Sequence, residues 1–227
     1  SGTDFVAMIV VDIVVCGAEP LFLTDYIACG KVNPSRIAAI VSGIAVGCQQ
    51  AGVALLGGET AEHPGVMAAD EYDLAAAGTG VVEADHLRSA ERVQPGDVLV
   101  AMRSSGAHSN GYSLVRAALL DVASLRLTAH MDDLGRTLGE ELLEPTRIYA
   151  QDCLALCEQL GDGIRVLSHI TGGGIAANIA RVLPADIHAE VNRATWQPQP
   201  IFDLIARTGN VSASDMEQTF NLGLGMV

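Results

Sequence analysis

A chain of 227 residues, 49% of them hydrophobic, can bury one large core or two modest ones, which excludes a disordered polypeptide. The net charge is −14, with 27 acidic residues against 13 basic ones, and this excludes a broad basic face for nucleic acid. No apolar run reaches the roughly 18 residues of a membrane span and no basic segment precedes an apolar one, so a soluble, cytoplasmic protein is expected.

A phosphate-bearing ligand would have to be met locally, by backbone amides, a few arginines or a divalent cation. Lys31 is the single lysine, and arginine supplies the other basic groups. The five cysteines, Cys16, Cys29, Cys48, Cys153 and Cys157, are odd in number and mostly embedded in apolar sequence, which reads as free thiols. Cys153 and Cys157 share a helix face, but nothing else at ligand spacing completes a zinc site. The sequence opens almost directly on Phe5-Val6-Ala7-Met8 and closes on Gly225-Met226-Val227 like a strand cut short, so a piece of a longer polypeptide is expected.

In chain order, Asp4–Val15 is apolar at nearly every position, and its length predicts a buried helix. Asp12 stands within it as a lone carboxylate. If buried it needs a partner, a cation or water; the other reading is an exposed helix face. Leu21–Ala28 predicts a strand carrying Asp25 and Tyr26. Asn33-Pro34-Ser35 predicts the start of a helix that runs to about Gln50 and closes at Gly52. Val53-Ala54-Leu55-Leu56 then reads as a short buried strand stopping at Gly57-Gly58-Glu59-Thr60-Ala61-Glu62-His63. Glycines there let backbone approach a ligand or turn, and Glu59 and Glu62 would leave the strand end facing a site; a solvated turn is the plain reading. Asp73–Val82 predicts another strand, with Gly78 and Gly80 marking close packing or a bulge.

The polar stretch from Glu83 to Gly96 is the best linker, dividing the chain into domains over 1–88 and 89–227. Asp97–Met102 predicts a strand running into Ser104-Ser105-Gly106-Ala107-His108-Ser109-Asn110-Gly111, followed by a helix over Tyr112–Val122. Strand, small polar loop and helix is a way of aiming backbone amides at an anion. A helix is predicted over Gln151–Leu160 and a strand over Ile164–His169. Thr171-Gly172-Gly173-Gly174 then leads into the helix Ile175–Val182, a candidate phosphate nest whose glycine run is not specific as a motif alone. A short strand over His188–Val191, helices over Pro200–Arg207 and Met216–Phe220, and a strand over Leu222–Val227 complete the reading. The fold class is α/β in the α+β sense: two domains, each of helices packed on a mixed β-sheet, with an incomplete N-terminal domain.

Taken together, Asp12 through Pro20, Gly57 through Glu62, Ser104 through Arg116, Pro145-Thr146-Arg147-Ile148-Tyr149, Ile170 through Gly174 and Phe220 through Val227 resemble, in order, the aminoimidazole ribonucleotide synthetase family, also called phosphoribosylformylglycinamidine cyclo-ligase. The resemblance implies a two-domain, homodimeric ligase that binds ATP in a cleft and closes the imidazole ring of formylglycinamidine ribonucleotide during purine biosynthesis. It implies that Asp12 and Glu59 hold Mg²⁺ or orient the nucleotide, and that His108 and Asn110 face the substrate. It further implies that Gly57, Gly58, Thr60, Ser105, Gly106, Ser109, Gly111, Thr171, Gly172, Gly173 and Gly174 bind substrate or ATP. Mg²⁺ keeps several waters and takes one or two carboxylates beside phosphate oxygens, which suits acids on separate elements.

Two departures stand out: His63 replaces the family's usual Met, and the family's glycine-rich N-terminal lysine motif has no counterpart. The alternatives are another ATP-using relative, of the formylglycinamidine ribonucleotide synthetase or selenophosphate synthetase type, and a truncated, non-catalytic dimeric chain.

Overall fold

The computed structural model describes residues 1–227, which divide into two compact units: residues 1–88 with 148–164, and residues 89–147 with 165–227. In this division residues 148–164 return to the first unit, whereas the domains expected from sequence part once, near residue 88. That unit opens on helix α1 (Gly2–Val14), whose Ser1 cap forms a reciprocal capping box with Asp4. Val6, Ala7, Val10, Val11 and Val14 form its buried stripe. Strand β1 (Glu19–Cys29) follows, then helix α2 (Pro34–Ala51), which Asn33 starts by accepting the Arg36 N–H and Gly52 ends at φ 72°.

Strands β2 (Ala54–Glu62) and β3 (Tyr72–Val81) flank β1, parallel and antiparallel respectively, so the sheet is mixed in the order β2-β1-β3. Helix α1 lies on β3 where glycine leaves room: a Cβ at Gly78 would sit 2.6 Å from Ile9 Cγ2, and one at Gly80 would sit 2.3 Å from Ile13 Cγ2. This is the close packing expected of that strand. The apolar run ending in Gly57-Gly58 corrects the reading of a short buried strand. Pairing with β1 continues through Glu62, so the ladder does not stop at glycine, and Leu56 is 68% exposed.

In the second unit, β4 (Met102–Arg103) leads through the 104–111 loop into α3 (Tyr112–Val115), prolonged by a π-helical stretch over Arg116–Val122. A hairpin of β5 (His130–Met131) and β6 (Arg136–Thr137) precedes α4 (Leu138–Leu142). Helix α5 (Ala150–Leu160) belongs to the first unit. Helices α6 (Gly174–Arg181), α7 (Pro200–Gly209) and α8 (Ala213–Thr219) then lead to β7 (Leu224–Met226), antiparallel to β4. The core gathers Val115, Leu119, Leu138, Ile170, Ile205 and Phe220, and the Phe202 and Phe220 rings meet at 5.8 Å, tilted 60°.

Strand pairing in this unit is sparser than the sequence suggests. Of the strand expected over 97–102, only the end pairs, and Val98 and Val100 are 82% and 75% exposed. Residues 164–169 bridge β7 only near Ser168 and His169, and 188–191 form no ladder. β-branched runs favour extended backbone, but a strand exists only where a neighbour completes its hydrogen bonds.

Candidate functional site

The serine-rich loop of the second unit is tied at almost every residue. Ser104 N donates to Gly223 O and Ser104 Oγ to Asn221 Oδ1, while Gln199 Nε2 donates to Ser104 O at 2.6 Å. Asn221 Nδ2 donates to Gly106 O at 2.9 Å. His108, at φ 59° and 3% exposed, turns its Nε2 back to accept the Ser105 N–H at 3.1 Å, an arrangement that requires an unprotonated Nε2. The Ser105 amide, expected to meet phosphate, is thus taken by the loop itself.

The segment over 142–146 straps this loop from outside. Leu142 O accepts from Tyr112 Oη at 2.7 Å, Pro145 O accepts from Ser105 Oγ at 2.6 Å, and the hydroxyls of Thr146 and Ser109 share a bond of 2.9 Å. Arg136 anchors the strap through Glu141 and Glu144, each at 2.6 Å. The bond to Glu144 is the largest cause raising the Arg136 pKa above its ordinary value, so the clamp stays cationic. Phe220 closes the far end: a Cβ at Gly111 would lie 2.4 Å from its ring, and Gly111 holds φ 76°.

Within the same unit the glycine turn comes against this loop. A Cβ at Gly172 would lie 3.7 Å from Asn110 Oδ1, so Asn110 and Gly172 are neighbours. Gly173 and Gly174 hold φ 97° and 70°, which side-chain-bearing residues rarely adopt. No side chain caps α6, so its first-turn amides are not taken by a capping residue. Ser109, Gly172 and Gly173 are exposed and Asn110 and Thr171 half-buried, whereas Gly106, His108 and Gly174 are buried. The exposed residues can contact a ligand, and the buried ones hold them in place.

In the first unit, Asp12 is exposed on α1, which corrects the reading of a buried helix around it: the helix buries one stripe, and Asp12 is off it. Glu59 is exposed on β2, with Oε1 accepting the Thr60 N–H at 2.8 Å. Glu62 Oε1 accepts the Val32 N–H at 2.6 Å, and His63 Nε2 lies 2.9 Å from Tyr26 Oη, so both fasten the strand end to its surroundings. Gly57 has open space where a Cβ would be, whereas at Gly58 a Cβ would lie 2.1 Å from Asp25 Oδ1. Glycine at 58 therefore makes room for a carboxylate. No group of three or more His, Cys, Asp or Glu could hold a metal ion, so a closed cation cage is not built here. Sparse oxygen ligands are nonetheless the donor set that Mg²⁺ takes beside phosphate oxygens.

Asp25, Asn178 and Asn221 carry structural weight that residue-by-residue reading missed. Asp25 had a signal, a lone carboxylate in an apolar strand opposite a glycine. Asn221, between Phe220 and Leu222, is an amide in an apolar run that must find partners if buried.

Helices on a mixed sheet in one unit, and a serine loop beside a glycine turn in the other, define an α+β fold shared with solved proteins. Thiamine monophosphate kinase from Aquifex aeolicus aligns with 99% of this chain and 71% of its own at a TM-score of 0.64 and 13% identity. Hydrogenase maturation protein HypE, solved in complex with ATP, aligns with 80% of this chain and 49% of its own at a TM-score of 0.55 and 25% identity. The chain belongs to the AIR synthase related protein family, matching the model of its N-terminal domain over residues 1–82 and of its C-terminal domain over 94–227. Curated phosphoribosylformylglycinamidine cyclo-ligases from Brevibacillus brevis and Myxococcus xanthus are 51% and 52% identical over the whole chain. The chain spans about 65% of the length of each. No helix is long and apolar enough to cross a membrane.

Proposed function

We propose that this chain forms the greater part of a cytoplasmic, ATP-dependent cyclo-ligase of purine biosynthesis, which converts formylglycinamidine ribonucleotide and ATP to aminoimidazole ribonucleotide, ADP and phosphate. The observation that carries the reading is identity near 50% to proteins of that name across every element of the chain. The likenesses to the kinase and to HypE are far lower in identity and support the fold, with the ATP complex of HypE consistent with a nucleotide here.

The chemistry explains why ATP is needed. An amide oxygen is a poor leaving group at neutral pH. Transfer of the γ-phosphoryl group to that oxygen releases ADP; the neighbouring nitrogen then attacks the activated carbon, the ring closes, and phosphate departs with the bond to oxygen. Such catalysis is mostly positioning and charge neutralisation. In this reading the exposed Ser109, Gly172 and Gly173 and the half-buried Asn110 contact substrate or phosphate, with Thr171 and Gly111 shaping the two loops. The buried His108 acts from beneath, its Nε2 holding the Ser105 N–H. Asp12 on α1, and Glu59 on β2 with Gly57, Gly58 and Thr60 on the same strand, serve the nucleotide. Mg²⁺, held by Asp12 or Glu59 with phosphate oxygens, would supply charge neutralisation. The exposed apolar side chains Leu21, Leu56, Tyr72 and Val81 on the strands support a homodimer.

The test is ADP release by a protein of the relatives' full length carrying this sequence, with and without formylglycinamidine ribonucleotide. Substrate-dependent ADP formation is expected, and its absence sinks the assignment. Asp12→Asn and His108→Ala should each lower turnover at least tenfold, about 1.4 kcal/mol in the barrier.

A further inference from the structure

The Thr171–Gly174 turn is held by its carbonyls. Asn178, 2% exposed within α6, donates through Nδ2 to Gly174 O at 2.7 Å and to Thr171 O and Gly172 O at 3.2 Å each. Its Oδ1 accepts from Thr171 Oγ1 at 3.4 Å and from Arg181 Nη1 at 3.2 Å, which fixes which end of the amide faces the turn. One side chain thus gathers three backbone carbonyls on one side.

In a trans peptide the N–H points opposite to the C=O it is joined to. Drawing the Thr171 and Gly172 carbonyls inward therefore turns the amides of Gly172 and Gly173 away from Asn178, on the side where both residues are exposed. A run of three glycines would not hold this arrangement alone, since glycine loses the most conformational freedom on ordering. A ligand meeting an unsupported turn would have to supply that ordering from its own binding energy.

We propose that Asn178 is a positioning residue of the ligase, fixing the glycine turn so that the Gly172 and Gly173 amides are preset for a phosphate group. The inference rests on the reading of this turn as part of the substrate site. Two phosphates could be its ligand, that of the ribonucleotide and those of ATP, and the two KM values separate them. Asn178 does not touch substrate. Its loss should act on binding more than on the chemical step.

The experiment is steady-state kinetics of Asn178→Asp and Asn178→Ala in the full-length enzyme. Aspartate is nearly isosteric but offers no N–H and sets a carboxylate against three carbonyl oxygens. The expected result is a KM raised at least tenfold for one of ATP and formylglycinamidine ribonucleotide, with the other within twofold and kcat changed less. KM values within twofold of wild type for both substrates, in a folded variant and however far its Tm falls, overturn the inference. Should neither variant fold, amide exchange in the wild-type enzyme decides. Slower exchange at Gly172 and Gly173 with either substrate supports the proposal, and unchanged exchange with both overturns it. Failure of the functional reading has a different signature, wild-type enzyme that releases no ADP in response to substrate.

Discussion

The side-chain amide of Asn221 donates to the carbonyl of Gly106 at 2.9 Å, across 115 residues of sequence. Its Oδ1 accepts from Ser104 Oγ at 3.0 Å and from Gly223 N at 2.9 Å, so one buried amide joins the start of the serine loop to the turn before β7. Asn221→Ala leaves a buried carbonyl, hydroxyl and amide without these partners. At about 1–3 kcal/mol for each stranded group, with partial relaxation, a loss of about 2–4 kcal/mol is expected in urea unfolding. A loss below about 1 kcal/mol would mean that the loop satisfies itself in another way.

Gly57 and Gly58 look equivalent in sequence and differ in structure. Alanine at 58 must displace the Asp25 carboxylate, because its Cβ would lie 2.1 Å from Oδ1, whereas alanine at 57 meets nothing within 4 Å. Gly58→Ala is expected to cost about 1–3 kcal/mol, while Gly57→Ala is expected to be neutral or stabilising by up to about 1 kcal/mol. A double-mutant cycle with Asp25→Ala isolates the cause: most of the Gly58→Ala penalty should vanish in the double variant. A penalty that persists there assigns it to backbone conformation instead.

What could be read from sequence divides along local and non-local lines. Capping at Asn33, the end of α2 at Gly52 and the place of the two glycine-bearing loops follow from short-range chemistry, and the structure has them. Asp12 was harder, since a run of β-branched residues hides which helix face is buried, and only packing against α2 and β3 decides it. Unpaired segments such as 97–101 carry strand composition without a ladder. Return of 148–164 to the first unit has no signal in composition, being set by contacts such as Gln151 Nε2 to Ala51 O at 2.7 Å, 100 residues apart.

The three glycines of the turn should respond differently to one added methyl. At Gly174 a Cβ would lie 1.7 Å from Glu217 O, at φ 70°, so Gly174→Ala should lose several kcal/mol or fail to fold. At Gly172 the nearest atom is Asn110 Oδ1 at 3.7 Å, an ordinary contact, so Gly172→Ala should fold with a Tm within a few degrees of wild type. Its methyl would stand beside Asn110, and on the proposed function substrate-dependent ADP release should fall at least fivefold. Full activity with unchanged stability would move the substrate away from this turn.

Cys153, fully buried on α5, has its thiol pKa pushed up to about 12, first by burial and then by the Cys157 and Asp152 charges. Below pH 8 both the folded and unfolded states carry a neutral thiol, and the group adds no pH dependence. Between an ordinary 9.0 and about 12 the unfolded chain releases this proton while the folded chain keeps it. The unfolded state then binds fewer protons, so folding stability falls as pH rises, by at most about 1.4 kcal/mol per unit. Urea unfolding at pH 8 and pH 10.5 should show a steeper loss for wild type than for Cys153→Ala, whatever the alanine costs at pH 8. Alkylation gives the same answer by another route: at pH 8 the half-buried Cys157 should react with iodoacetamide while Cys153 stays intact until the protein unfolds. Equal pH slopes in the two proteins, together with rapid labelling of Cys153 in the native state, would show that this thiol is open to solvent.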